Sequence, residues 1–211
     1  MSILLNRKRR TTVPAGNSFL ALLLCALLPG FALAQASPTE RVESVVEEVL
    51  TILRTQSLTA DARREQLKTE LGKVFDSRAM AQSALSTNWR NASTEQQNEF
   101  QELFRQTLEN TYIGRIEAYT NESVEYRDEE INDNRATVET TIVTSANEIP
   151  VNYRLRLRSD GWYVYDVEVE NVSMISSYRE TYRSVVRRSG IDELLAEMRQ
   201  NVAESEAVSG L

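Results

Sequence analysis

The sequence predicts an α+β domain in which helices come first, an antiparallel sheet follows, and helices close the chain. Apolar residues recur every three or four positions before residue 120 and again after residue 173, which is the period of a half-buried helix. Residues 123–170 instead alternate every second position, as strands do. Short polar turns separate these strands, and such turns join antiparallel neighbours, because parallel strands would require crossover helices. This order of elements is typical of the α+β class.

Four helices are predicted in the first half of the chain. Two capping boxes mark helix starts, Ser37-Pro38-Thr39-Glu40 with proline at the first helical position and Ser93-Thr94-Glu95-Gln96. Asp76 can cap the short third helix, which is expected to end before Trp89. The longest helix carries an apolar stripe from Phe100 to Tyr119. The predicted helices span about residues 38–53, 59–74, 77–88 and 94–119.

The strands and the last two helices follow from the turn signals. Asn132-Asp133-Asn134 and Ser159-Asp160-Gly161 mark two turns, and the second is a hairpin signal. A helix beginning at Met174 is expected to stop at Ser189-Gly190, and a final helix should fray after about residue 203. The predicted strands are residues 123–127, 135–146, 149–158 and 162–170.

Residues 1–34 have the three-part pattern of a secretory signal peptide. Arg7, Lys8, Arg9 and Arg10 form a basic head, Phe19–Leu28 is an apolar run, and Ala32-Leu33-Ala34 is a small-x-small cleavage pattern. A run of about ten apolar residues is shorter than the ~20 that a spanning helix needs. The pattern therefore favours a cleaved signal over a retained N-terminal anchor. Residues 35–211 are expected to form a single domain outside the cytoplasm.

Composition excludes several functions. The chain has 24 Lys and Arg, four of them in the signal, so 20 remain against 31 Asp and Glu, a formal charge of −11. Such acidity disfavours nucleic acid and anionic membrane surfaces as direct partners. The chain has no histidine, and its one cysteine, Cys25, lies in the signal. The commonest general base, cysteine catalysis and cysteine–zinc sites are thereby excluded.

The carboxylates offer little chemistry. Asp128-Glu129-Glu130 with Asp133 could be imagined as a cation site, but it lacks the spacing of a calcium loop, and a solvated turn is favoured. Asp166 is the best candidate for a buried acid. Such a residue more often accepts a hydrogen bond from a backbone amide or pairs with an arginine such as Arg179. No catalytic residue and no metal ligand is predicted.

Three segments resemble the MlaC family. Residues Trp162–Arg179, WYVYDVEVENVSMISSYR, are similar to its pattern W-x-V-Y-D-V-x-V-E-G-V-S-x-x-x-x-Y-R. Val74-Phe75-Asp76 with Trp89 resembles its early helices, and Thr111–Tyr119 resembles T-Y-x-x-x-L-x-x-Y. Asn171 stands where the family has glycine, and asparagine tolerates a positive φ.

The resemblance implies an NTF2-like curved sheet that encloses an apolar cavity with N-terminal and C-terminal helices. It implies a soluble, monomeric, periplasmic carrier with phospholipid as cargo and no cofactor. Its partners would be an outer-membrane lipoprotein–porin complex and an inner-membrane ABC transporter with an MCE domain, and its role would be to maintain outer-membrane lipid asymmetry. An NTF2-like periplasmic enzyme and a ligand-free adaptor are the alternatives.

The expected site is a pool of apolar and aromatic residues that form cavity wall and core together. Charging this face, by Ile142→Glu or Leu155→Glu, is expected to abolish lipid binding. The pool consists of Tyr112, Ile116, Tyr119, Val138, Ile142, Tyr153, Leu155, Val164, Val169, Met174, Ile175 and Tyr178.

Overall fold

A computed structural model describes residues 36–119 and 122–209, and the predicted signal segment, 1–34, lies outside the described residues. Within these ranges six α-helices, one 3₁₀ turn and a five-stranded antiparallel sheet in the order β1-β2-β3-β4-β5 confirm the α+β prediction. None of the described helices has the length and apolar character needed to cross a membrane. The elements are α1 Pro38–Arg54, α2 Ala60–Gly72, α3 Ser77–Leu85, a 3₁₀ turn Ser86–Asn91, α4 Thr94–Glu117, β1 Ser123–Asn132, β2 Arg135–Val143, β3 Glu148–Arg158, β4 Gly161–Val169, β5 Val172–Ser173, α5 Met174–Ser189 and α6 Ile191–Ser209.

Both predicted capping boxes are present. The Glu40 amide donates to Ser37 Oγ at 3.1 Å, and the Ser37 amide donates to the Glu40 carboxylate at 2.7 Å. Ser93 and Gln96 make the equivalent pair at the start of α4. These bonds satisfy amides that the first turn of a helix leaves without partners. The end of α6 differs from the prediction, because the helix continues to Ser209 where a frayed tail was expected.

The last hairpin of the sheet was not predicted. Val169 pairs with Val172, and the two residues between them, Glu170 and Asn171, have φ values of +51° and +65°. Positive φ at both central positions is the geometry of a type I′ turn. Asn171 therefore does adopt the positive φ that its place in the family pattern indicated. Glu170 adopts a conformation that residues with a Cβ rarely take.

Two main cores lie on either side of the linker between α2 and α3. The sheet core packs Val42 of α1 onto fully buried residues of the inner sheet face, such as Val138 and Leu155. The helical core gathers α3, α4, α5 and α6 around stacked aromatic rings, with Phe100 and Phe104 at a centroid distance of 5.8 Å. The inner face of the sheet is thus covered by α1.

The linker Val74–Asp76 joins the two cores. The Val164 amide donates to the Val74 carbonyl at 2.9 Å, and the Asp76 amide donates to the Val164 carbonyl at 2.8 Å, so the linker extends the sheet beside β4. The Asp76 carboxylate is buried, and its Oδ2 lies 2.5 Å from Arg156 Nη2. This contact is an ion pair rather than a directed hydrogen bond. Phe75 packs against both cores.

Candidate functional site

An apolar cavity of about 210 Å³ lies between α2 and α4, with α3, the linker and the start of α5 completing its wall. Its charged lining residues, Lys68, Arg105 and Glu109, all reach solvent to some extent. Gly72 and Ser77 are the remaining small or polar contributors. The apolar and aromatic lining residues are Leu71, Phe75, Met80, Phe104, Leu108, Tyr112, Ile113, Ile116 and Met174.

Helix α4 supplies the long wall of the cavity. Phe104, Leu108, Tyr112 and Ile116 follow one another at intervals of four, so they lie on one face of the helix. Phe104, at the N-terminal end of this row, is fully buried in the helical core, whereas the other three residues of the row are only partly buried. The same stripe therefore changes from core to cavity wall along the helix. Leu71 of α2 contributes to the wall as well.

The charged groups of the lining are paired with one another or with near neighbours. Arg105 Nη2 lies 2.5 Å from Glu102 Oε1, and Nη1 contacts Glu109. The hydrogen bond that Arg105 donates to the Glu102 carboxylate is the main cause that raises the pKa of Arg105, and the same bond lowers the pKa of Glu102. Burial raises the pKa of Tyr112, whose hydroxyl therefore stays protonated at neutral pH. The wall thus offers shape and apolar contact, and its ionised groups are confined to the rim.

Three of the twelve predicted site residues, Tyr112, Ile116 and Met174, line this cavity. The others lie elsewhere, and a lipid-binding role for any of the twelve stays a prediction. Val169 is 42 % exposed at the end of β4, and Tyr119 follows the end of α4. The remaining seven belong to the two cores: Val138, Ile142, Tyr153, Leu155 and Val164 to the sheet core, and Ile175 and Tyr178 to the helical core.

Six of the nine apolar and aromatic cavity residues were absent from the predicted pool. Phe104 and Leu108 could have been included, because they continue the same four-residue series as Tyr112 and Ile116. The others carry no signal that separates a cavity wall from a core. The six are Leu71, Phe75, Met80, Phe104, Leu108 and Ile113.

Asp166, the one catalytic candidate, is a structural residue. Its Oδ2 accepts from Ser173 Oγ at 2.6 Å and its Oδ1 accepts from the Ile175 amide at 3.2 Å, so it anchors the first turn of α5. Arg179 instead donates to the Ser83 carbonyl. Of the two partners suggested by the sequence, the backbone amide is the one present. Asp166 is not among the residues that line the cavity.

The acidic run in β1 has a structural contact too. Glu129 Oε2 accepts from both the amide and the hydroxyl of Thr39, at 2.7 and 2.6 Å, and so anchors the start of α1 on the sheet. Among residues 36–119 and 122–209 no three His, Cys, Asp or Glu side chains are grouped so that they could hold a metal ion.

The fold and the site together define the class of the protein: an α+β binding domain whose apolar cavity has charged residues at its rim. Within this class the chain belongs to the MlaC protein family, whose family model matches residues 43–200.

Two relatives and one solved structure illustrate the similarity. Toluene tolerance protein ttg2D of Pseudomonas putida is 25 % identical over 178 residues, which cover 81 % of this chain and 83 % of the relative. The intermembrane phospholipid transport system binding protein MlaC of Haemophilus influenzae is 21 % identical over 192 residues, covering 86 % and 90 %. The structure of a phospholipid-binding protein from Ralstonia solanacearum, in complex with a phospholipid, superposes with a TM-score of 0.75 at 21 % identity and covers 81 % of this chain and 99 % of its own.

Proposed function

We propose that this chain binds a phospholipid by its acyl chains in the cavity between α2 and α4 and carries it between membranes. The observation on which the proposal rests is the lining, in which apolar and aromatic side chains form the wall and charged side chains form the rim. Apolar walls with a few polar groups suit flexible hydrocarbon chains, because shape and contact determine binding there. The name of the Haemophilus influenzae relative and the lipid in the similar structure agree with this proposal.

The energetics of hydrocarbon explain why such a carrier is needed. Burial of one methylene group is worth ~0.8 kcal/mol, so ~30 methylenes amount to about 24 kcal/mol relative to water. Without a carrier, a phospholipid therefore leaves a bilayer very rarely. A carrier whose cavity resembles the bilayer interior brings the net exchange close to balance, and no catalytic group is required.

Loading requires the cavity to widen. A volume of about 210 Å³ is below the ~300–1,000 Å³ of typical small-molecule pockets. Helix α2 is the wall that can move, because Leu67 is its one buried residue. Leu67 packs with Ile113 of α4, and Arg64 Nε lies 3.0 Å from Glu117 Oε2. We infer that α2 separates from α4 on loading while the linker Val74–Asp76 stays attached to β4.

The cellular setting of this proposal comes from the predicted signal peptide and from what the resemblance to the MlaC family implies. A signal peptide over residues 1–34 would export the chain to the periplasm, where an acidic carrier would shuttle lipid between an outer-membrane lipoprotein–porin complex and an inner-membrane ABC transporter with an MCE domain. This shuttling would maintain the lipid asymmetry of the outer membrane. A transfer assay with the two complexes in separate vesicles, run in both directions, tests this part of the proposal.

Mass spectrometry of extracted lipid tests the binding itself. The chain from residue 35 onward is purified from the periplasm of a Gram-negative host and extracted with organic solvent. We expect about one two-chain phospholipid per protein molecule. Protein that is folded but free of lipid would contradict the proposal and would favour the ligand-free adaptor. Turnover of an added lipid into products would favour the enzyme.

A further inference from the structure

Beside the apolar cavity lies a groove of about 330 Å³, which is lined by residues of α2, α4 and the end of α6. The two spaces share Lys68, Glu109 and Ile113, so they adjoin across these side chains, and the separation of α2 from α4 proposed above would join them. In contrast to the cavity, the groove is walled mainly by charged side chains from α2, α4 and the end of α6. A lipid whose chains fill the cavity must place its headgroup at such a polar boundary, because an apolar wall cannot solvate a phosphate.

The charges of the groove are arranged in a definite order. Lys68 lines both spaces and therefore lies where they meet. Three acidic residues line the groove but not the cavity, and they therefore lie beyond the apolar cavity: Asp61, Glu65 and Glu206. In total the groove has two basic residues, the second being Arg64, against four acidic ones including Glu109, a formal balance of −2.

Lys68 is free to change partners, whereas Arg64 is held. Lys68 Nζ is paired at 2.8 Å with Glu65, whose side chain is 71 % exposed. Exposed ion pairs of this kind contribute little, so a phosphate can replace Glu65 at small cost. Arg64 is paired with Glu117, whose side chain is only 14 % exposed. Lys68 is therefore the cation that can bind a phosphate, and the carboxylates beyond it are left to bind a positive group.

We propose that the groove binds the headgroup and selects zwitterionic phospholipids that carry an ammonium group. This proposal rests on the function proposed above. The phosphate, which is nearest the acyl chains, lies at Lys68, and the ammonium, which is farther out, lies at Asp61 and Glu206. A net anionic headgroup such as phosphatidylglycerol supplies no positive group for these carboxylates, and the balance of −2 repels it. The extension of α6 past residue 203 brings Glu206 into this groove.

Competition between two headgroups tests the proposal. The protein is incubated with vesicles of equimolar phosphatidylethanolamine and phosphatidylglycerol with identical chains, repurified, and its lipid is quantified by mass spectrometry. We expect the wild type to be enriched about fivefold in phosphatidylethanolamine, the effect of about one partly exposed ion pair. Asp61→Lys with Glu206→Lys should bring the ratio to one or invert it.

Matched variants separate headgroup selection from general charge. Glu48→Lys with Glu193→Lys makes the same change of charge at exposed positions outside the groove, and the ratio should stay that of the wild type. The neutral pair Asp61→Asn with Glu206→Gln should reduce the enrichment. It replaces Asp61→Lys with Glu206→Lys as the test if that charge-reversed variant does not fold. A wild-type ratio of one, or enrichment in phosphatidylglycerol, with full lipid loading overturns the headgroup proposal and leaves the carrier function intact. Absence of both lipids from folded wild type overturns the two together.

Discussion

Replacement of Asp76 should lower the free energy of unfolding by an amount that follows from its contacts. Asp76 lies in the linker that joins α2 to α3, and its carboxylate has three contacts. Oδ2 is within ion-pair distance of Arg156 at 2.5 Å and of Arg158 at 3.4 Å, and Oδ1 accepts from the Ala79 amide at 3.0 Å as the N-cap of α3. Asp76→Asn removes the charge and keeps the cap, whereas Asp76→Ala removes both.

The exposure of the partners determines the magnitude. Breaking a fully buried ion pair by removing one member costs about 3–5 kcal/mol. The Asp76 side chain is 1 % exposed, but those of Arg156 and Arg158 are 34 % and 43 % exposed, so water reaches the released guanidinium groups. We therefore expect Asp76→Asn to lower the free energy of unfolding by about 2 kcal/mol, roughly half the buried figure. Loss of the cap in Asp76→Ala adds about 1 kcal/mol.

Urea unfolding followed by tryptophan fluorescence measures both variants. With an m-value of about 2 kcal/mol/M, Asp76→Asn should move the midpoint down by about 1 M and Asp76→Ala by about 1.5 M. The exposed Asp128→Asn is the control and should stay within about 0.5 kcal/mol of the wild type. In a double-mutant cycle, Asp76→Asn and Arg156→Gln should couple by about 1 kcal/mol or more. Additive effects of the two changes, or equal stability of the two Asp76 variants, would refute the reasoning.

Three further predictions concern the cavity, a turn and alkaline pH. Ile116→Glu should lower lipid occupancy more than tenfold in mass spectrometry, because a carboxylate in the wall is costly to desolvate, whereas Ile131→Glu, at a position 52 % exposed and outside the cavity, should not. Glu170→Gly should raise the free energy of unfolding in urea by about 1 kcal/mol, because glycine adopts a φ of +51° without strain. Burial raises the pKa of Tyr153 to about 12, so the unfolded chain ionises first and stability falls from about pH 10 to 12. Burial also raises the pKa of Tyr126 and Tyr182, so Tyr153→Phe should remove only part of this loss, as urea titrations at pH 8 and pH 11 would measure.

Local signals predicted most of the fold. The capping boxes at Ser37 and Ser93 depend on four neighbouring residues, so sequence alone identifies them. Strand β5 was missed because its turn, Glu170-Asn171, lacks the Asn-Gly or Asp-Gly that usually marks such a hairpin. The continuation of α6 past residue 203 carries no comparable signal. Val202 is the last residue of α6 that is buried in the helical core, and the side chains of residues 203–207 are exposed or partly exposed, so no apolar pattern marks the end of the helix.

The candidate site was harder to predict, because a core and a cavity wall use the same residues. Tyr112 and Leu155 both occupy apolar positions of a regular element, and periodicity treats them alike. What separates them is the element packed opposite. Leu155 lies in the sheet core that α1 covers through Val42, whereas Tyr112 lies on the part of α4 that borders the cavity. Sequence periodicity identifies apolar faces but not the gaps between them.

Leu155→Glu should unfold the domain and is therefore not a direct test of lipid binding. The sequence suggested this variant as a test of lipid binding, but Leu155 is fully buried and lies outside the cavity. An unpaired carboxylate there has an effective desolvation penalty of several kcal/mol, a large part of the ~5–15 kcal/mol that stabilises a typical domain. We therefore expect Leu155→Glu to lose its cooperative urea transition and to lose lipid only as a consequence. If it instead remained folded with an unchanged midpoint and lost its lipid, the sheet face would be the binding surface, and the cavity between α2 and α4 would not be the site.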